Sequence, residues 1–185
     1  MNTPIQPGML LLSDPFLKDP NFIRSAILIC QHDEATGSFG FVVNKRYQYH
    51  LGELIDDFSH TYFPLYLGGP VQIDTIHFIH KRPDVIGGST LVGNGIYWGG
   101  NFEEVTVLLK EKQLNEFDIR FFVGYSGWDE GQLEEELNEK AWIATKATPS
   151  LVFAKQEQQI WKNALHNLGG EYALMSNYPT DPQLN

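Results

Sequence analysis

The sequence predicts an α+β fold with a strongly bent, mainly antiparallel sheet. Strand-like segments crowd the first half of the chain, and two of them are joined directly by hairpin residues at Asp33–Ser38. Amphipathic helical segments are interspersed among the strands, without the regular strand–helix alternation of a doubly wound fold. The chain has 185 residues, 42% hydrophobic and 13% aromatic. One domain over 1–185 is therefore expected, able to bury about 70% of its surface without staples.

Taken in order, Gly8–Ser13 is an apolar run closed by Asp14-Pro15, a first strand. Pro15 and Pro20 bracket a loop in which Asp14 and Asp19 can cap backbone N–H groups. Arg24–His32 has a continuous apolar middle, as in a strand buried on both faces, and Phe39–Asn44 is its returning partner. Leu51–Phe58 has helical spacing, Leu65–Leu67 is strand-like, and a further strand covers Thr75–His80. Residues 82–95 read as loop, followed by a short strand at Ile96–Trp98.

Asn101 with Glu104 three residues on has the form of a capping box, opening a helix with Val105, Leu108, Leu109 and Lys112 on one face. Ile119–Val123 is a strand, and Gly124–Trp128 is expected to be a glycine turn leading into an acidic helix around Gln132–Lys140. Ala141–Thr145 is a last strand. Gln156–Leu168 is an amphipathic helix with Ile160, Trp161, Ala164, Leu165 and Leu168 inward and Gly169 as its stop. A flexible tail is expected from about residue 177.

Net charge is −10, from 23 acidic and 13 basic residues. Such a field repels polyphosphates unless a basic face is segregated, and Lys45-Arg46 and Lys81-Arg82 are the only adjacent basic pairs. Direct nucleic-acid binding is not expected. Cys30 is the only cysteine, which suits a reducing compartment. No window approaches the ~20 apolar residues of a membrane span, and the first residues lack the basic start and apolar run of a signal peptide. A cytoplasmic protein is expected.

Gly124-Tyr125-Ser126-Gly127-Trp128 nearly spells a nucleophile elbow, with Trp128 in place of its final glycine. A plain turn serine explains Ser126 better. Cys30 and His32, two apart on a strand, should share a face. No third and fourth zinc ligands stand at suitable spacing, so no metal is expected and Cys30 reads as a small buried hydrophobe. His77 and His80, three apart, should lie on opposite faces. Neither a phosphate-loop nor a dinucleotide motif is complete, so no cofactor is implied. Asp14, Asp19, Ser25, Asn44, Tyr125, Ser126, Trp128 and Glu136 are the polar and aromatic candidates for one ligand cleft.

Four segments together resemble the AlgH (YqgE) family of bacterial proteins: PGMLLLSDPFLKDPNFIRSAILICQHD, GSFGFVVNK, LGGPV, and FFVGYSGWDEGQLEEEL through to Trp142. The resemblance implies a bent sheet forming a partial barrel with helices packed outside, and a cytosolic location. Members are often labelled transcriptional regulators, and no catalytic residue is established to carry over. The family pattern usually has Ala where this chain has Ser126. Two readings follow. The first is a non-enzymatic binding or regulatory protein acting on transcription through protein partners. The second is a small-molecule or anion binder, or a hydrolase-like enzyme, with its cleft beside the GYSGW segment.

Overall fold

The computed structural model describes residues 4–180. Ten strands form one sheet: β1 (Met9–Ser13), β2 (Ala26–Asp33), β3 (Gly37–Val42), β4 (Arg46–His50), β5 (Pro64–Leu67), β6 (Val71–His80), β7 (Thr90–Gly93), β8 (Ile96–Trp98), β9 (Ile119–Trp128) and β10 (Trp142–Lys146). The helices are α1 (Leu51–Leu54), α2 (Phe102–Lys110), α3 (Gln132–Asn138), α4 (Pro149–Val152), α5 (Ile160–Leu168) and α6 (Gly170–Met175). The spatial order is β10-β1-β2-β3-β9-β6-β8-β7, with β5 against β9 and β4 against β5. Every pair is antiparallel except β5 with β9. The sheet curls without closing into a barrel, although the β7–β8 turn comes back to the start of β1, where Asn94 Nδ2 donates to the Gly8 carbonyl at 3.3 Å.

Strand alternation sorts the core into three clusters. The concave side collects Leu10, Leu12, Leu28, Phe41, Phe122, Ile79, Val92 and Ile96 from across the sheet, and α5 packs into it through Ile160, Trp161, Ala164 and Leu165. Phe121, Ile119, Val123, Leu65 and Phe78 face the opposite way and are covered by α1 and by Val105, Leu108 and Leu109 of α2. Leu11, Ile27, Ile29, Val42, Trp128 and Trp142 are covered by Leu133 of α3. The apolar middle of β2 is thus buried on both faces, as its unbroken run predicts. Within the concave cluster the Arg120 side chain is almost fully buried. It donates to the carbonyls of Val43 (3.0 Å), Val152 (2.7 Å) and Ala154 (3.1 Å) and stacks over the Tyr66 ring, 4.3 Å from its centroid. With the Trp161 indole donating to the Ser13 carbonyl at 2.9 Å, it closes one end of the curl.

The expected glycine turn at 124–128 is instead strand. β9 runs unbroken to Trp128 and bends at Gly124, whose φ is +65°. At the bend β9 changes partner along one edge, from β5 (Leu65–Leu67 with Phe121–Val123) to β3 (Ser38–Gly40 with Ser126–Trp128), while β6 stays along the other edge. The crossover is made by Gly68-Gly69. The Gly68 N–H donates to Val123 (2.9 Å) and its carbonyl accepts from Val42 N–H (2.8 Å). The reason sequence reading misplaces this segment is physical: one left-handed residue bends a strand as readily as it starts a turn.

Other expectations need smaller corrections. β7 forms where loop was expected, and β4, α4 and α6 were not foreseen. Leu51–Phe58 splits into α1 and a 3₁₀ turn at Asp56–Phe58. Leu168 is exposed rather than inward. Asn101 Oδ1 caps α2 by accepting from Glu103 (3.0 Å) and Glu104 (3.2 Å) N–H, but Glu104 does not return the bond. Its carboxylate accepts from Gly87 N–H at 2.7 Å, tying α2 to the preceding loop. α2 ends at Lys110, and Lys112 has left-handed φ, so Lys112 is no part of a helix face. Of the tail expected to be flexible, 181–185 lie outside the described residues, while Tyr178 packs on Phe16 with ring centroids 5.6 Å apart.

A Cβ at Gly124 would lie 2.6 Å from the Gly69 carbonyl oxygen and 2.8 Å from that of Val71, whereas one at Gly131, also at positive φ, would meet nothing. Gly124→Ala is expected to cost about 2–4 kcal/mol in urea unfolding against about 1 kcal/mol for Gly131→Ala, which carries backbone strain alone. Equal costs would mean that the interlock is not tight. A second expectation concerns His80, wholly buried, whose Nε2 donates to the Gly99 carbonyl (3.0 Å) while Nδ1 accepts from Arg82 N–H (3.0 Å). Burial outweighs the Gly99 bond and the Asp84 charge and holds its imidazole below the ordinary histidine value. The unfolded chain therefore takes up this proton at higher pH than the folded one. Stability should be full above about pH 6.5 and decline as pH falls from there through the folded value. Urea midpoints from pH 8 to pH 5, with the His80 ring followed by NMR, check this. An imidazole that titrates at or above pH 6.5 would contradict it.

Candidate functional site

The eight candidate residues do not converge. Asp14 and Asp19 are loop caps, accepting from Phe16 N–H (2.8 Å) and Asn21 N–H (2.9 Å). Asn44 continues the ladder beyond β3: its Oδ1 accepts from Ala26 N–H (2.9 Å) and its Nδ2 donates to the Arg24 carbonyl (2.8 Å). Ser25 is buried beside it, its N–H donating to Ser13 Oγ at 2.9 Å. Ser126 is wholly buried and its hydroxyl donates to the Gly68 carbonyl at 3.0 Å, bracing the strand crossover. With β9 continuous there, the strand–turn–helix geometry of a nucleophile elbow is absent at Ser126.

Trp128 and Glu136 do meet, on the convex side. Glu136 Oε2 accepts from both the Trp128 Nε1 (2.8 Å) and the Trp142 Nε1 (2.7 Å), and its Oε1 accepts from Gln132 Nε2 (2.8 Å). One carboxylate so fastens α3 to β9 and β10, under two indoles set edge to face at 6.0 Å. Next to it His32 Nδ1 lies 2.8 Å from Ser38 Oγ and His32 Nε2 lies 3.5 Å from Glu134 Oε1. This acid–imidazole–hydroxyl row has the order of a triad, but His32 and Glu134 are packed against α3, and of the three only Ser38 borders the cleft described next.

The cleft lies at the open mouth of the concave side. It holds about 470 Å³ and is walled by Phe39 (β3), His77 (β6), Trp98 (β8) and Tyr125 (β9), with Gln31, Thr36 and Asp129 at its polar margin. All four walls pack against or stack on the concave cluster. Phe39 meets Trp98 at 4.9 Å and 65° and Tyr125 at 6.0 Å and 75°, and His77 meets Tyr125 at 5.9 Å and 85°. His77 also pairs with Thr75 Oγ1 at 3.0 Å, and burial pushes its imidazole below the ordinary value. Of the candidates only Tyr125 and Trp128 border this space, and the Trp128 indole is turned towards α3.

Gln31 is in the cleft because β2 carries a bulge between Ile29 and Gln31. The extra residue shifts the alternation, so Cys30 joins the concave cluster while His32 faces α3. The expectation that Cys30 and His32 share a face fails for this reason. Burial drives the Cys30 thiol far above its ordinary pKa, which makes it an inert packing group. His77 and His80 do lie on opposite faces. Among the described residues no group of three or more His, Cys, Asp or Glu could hold a metal ion, and no helix is long and apolar enough to cross a membrane.

Sequence reasoning missed Phe39, His77 and Trp98. The only signal for Phe39 was its alternation with Phe41. His77 and Trp98 reach the mouth through pairings remote in sequence. For the convex fastening, Glu136→Leu leaves two buried indole N–H groups unpaired and should cost about 2–4 kcal/mol, and Glu136→Gln, which keeps an acceptor, about half of that. Urea unfolding followed by tryptophan fluorescence measures both. Equal losses would show that the carboxylate's charge, rather than its acceptor oxygen, does the fastening.

A family model described as DUF179, AlgH-like, matches residues 10–173. A UPF0301 protein of Chlorobium limicola is 40% identical over 181 residues, 98% of this chain and 96% of that protein. Another, from Cytophaga hutchinsonii, is 38% identical over 96% of this chain and 98% of its own length. Among solved structures, a crystal structure of a Corynebacterium diphtheriae protein superposes with a TM-score of 0.80 at 24% identity, over 96% of this chain and 95% of that one. The solution structure of the AlgH protein from Pseudomonas aeruginosa gives a TM-score of 0.72 at 24% identity, over 93% of each chain. These two share the fold. On the family match and the extent of the relatives' identity, the chain belongs to the AlgH-like, UPF0301 family.

Proposed function

We propose that this is a non-enzymatic binding protein of the cytoplasm, whose small-molecule ligand enters the aromatic mouth and whose occupancy is read by protein partners, including those that act on transcription. The observation that carries the reading is the cleft itself. A cavity of about 470 Å³, walled by four rings from four strands and edged by a few polar groups, has the size and chemistry of a ligand site in the mouth of a curled sheet. Its walls are anchored in the core, so the site is preformed. Cys30, a lone buried thiol, suits a reducing compartment. The net charge of −10 favours protein contacts over direct contact with DNA.

Ligand-observed NMR against a small-molecule set of mixed charge, with amide shifts mapped on the isotope-labelled protein, tests the proposal. Binders should perturb Phe39, His77, Trp98 and Tyr125 and be recovered unchanged. Trp98→Ala should weaken them at least about tenfold, since one buried aromatic wall is worth that much. Shifts that map elsewhere, or chemical conversion of the bound compound, would refute the reading.

A further inference from the structure

We propose that the ligand of the mouth is a small organic cation, an ammonium head carried on a compact apolar body. The inference rests on the cleft being a binding site and adds the charge of what fills it. Asp129 is the one carboxylate among the lining residues, and no lysine or arginine is among them. An anion would meet that carboxylate without a counter-charge, inside the field of a chain of net charge −10.

The rings supply the rest. Phe39 stands at 65° to Trp98 and at 75° to Tyr125, so the three rings adjoin at steep angles and a guest at the mouth can touch more than one of them. Aromatic faces attract cations through their quadrupole, Trp most strongly, and more so where water is displaced. The fourth ring, His77, would repel a cation if it were protonated, but burial favours its neutral form. Gln31 and Thr36 at the margin offer acceptors to a polar substituent. The volume suits a molecule of metabolite size rather than a folded partner.

The test uses three near-isosteric probes: choline, neutral 3,3-dimethylbutan-1-ol and anionic 3,3-dimethylbutanoate. Each is titrated into the labelled full-length protein while the Trp98 indole N–H and the Phe39 and Tyr125 amides are followed by NMR. Choline should bind roughly tenfold or more tightly than the neutral probe, and the anion least. Asp129→Asn, at the exposed margin, should weaken choline about fivefold and leave the neutral probe unchanged. Trp98→Leu should remove most of the preference. Equal or tighter binding of the neutral or anionic probe at the mouth would overturn the cationic assignment and leave the cleft standing as a site. If no probe shifts these residues, the cationic assignment falls. The cleft reading falls with it only if the mixed-charge set also leaves them unmoved.

Discussion

The structure depends on the place where β9 exchanges one neighbour for another. Along one edge it has β6 from Ile119 to Tyr125; along the other it leaves β5 and takes up β3 beyond Gly124. The backbone of Gly68 and Gly69 crosses so close to that bend that a β-carbon at Gly68 would sit 2.4 Å from the Gly124 carbonyl oxygen. Ser126 completes the junction by donating to the Gly68 carbonyl. The bend at Gly124 lets one ten-residue strand serve three others, and a local irregularity of this kind adds bend and twist to the sheet. Together with the bulge in β2, this junction decides which residues reach the concave and the convex side.

The two sides divide the work. The convex side is fastened by polar bonds under helices: the Glu136 carboxylate on two indoles, and His32 between Ser38 and Glu134. The concave side is apolar, closed at one end by Arg120 and α5 and open at the other, where the rings of four strands are left without a covering element among the described residues. Among the described residues no carboxylate lies in bonding distance of Arg120, whose two terminal nitrogens donate to three carbonyls, with Tyr66 beneath it. A charge held in that way fixes the position of the segment after α4 and leaves the opposite mouth as the accessible part of the interior.

Much of the fold was legible because it is written in local apolar patterning. The doubly buried β2, the β2–β3 hairpin and the inward residues Ile160, Trp161, Ala164 and Leu165 of α5 follow from runs and spacings alone. What was not legible are the phase changes. The bulge at Cys30 and the bend at Gly124 each redirect a whole set of side chains locally; the first has no mark in the sequence, and the second only a glycine that reads equally as a turn. The cleft was hidden for a related reason. Tyr125 lies in the Gly124–Trp128 segment, but Phe39, His77 and Trp98 join it only through strand pairings remote along the chain. Asp14, Asn44 and Ser126 are polar residues beside core segments because backbone groups there need partners, which a sequence cannot distinguish from needing a ligand.

The pairing of β1 with β10 sets Met9 against Lys146 and Ser13 against Trp142, joining strands from opposite ends of the chain. During synthesis the β2–β3 hairpin can form as soon as it emerges, yet β1, whose middle is Leu10-Leu11-Leu12, keeps one edge unpaired until β10, the last of the strands, has been made. Loop closure over that span makes the last pairing slow compared with the hairpins. The nascent protein therefore passes through an interval in which an apolar strand edge is open to other chains. The early life of this protein is governed by how soon its last strand arrives.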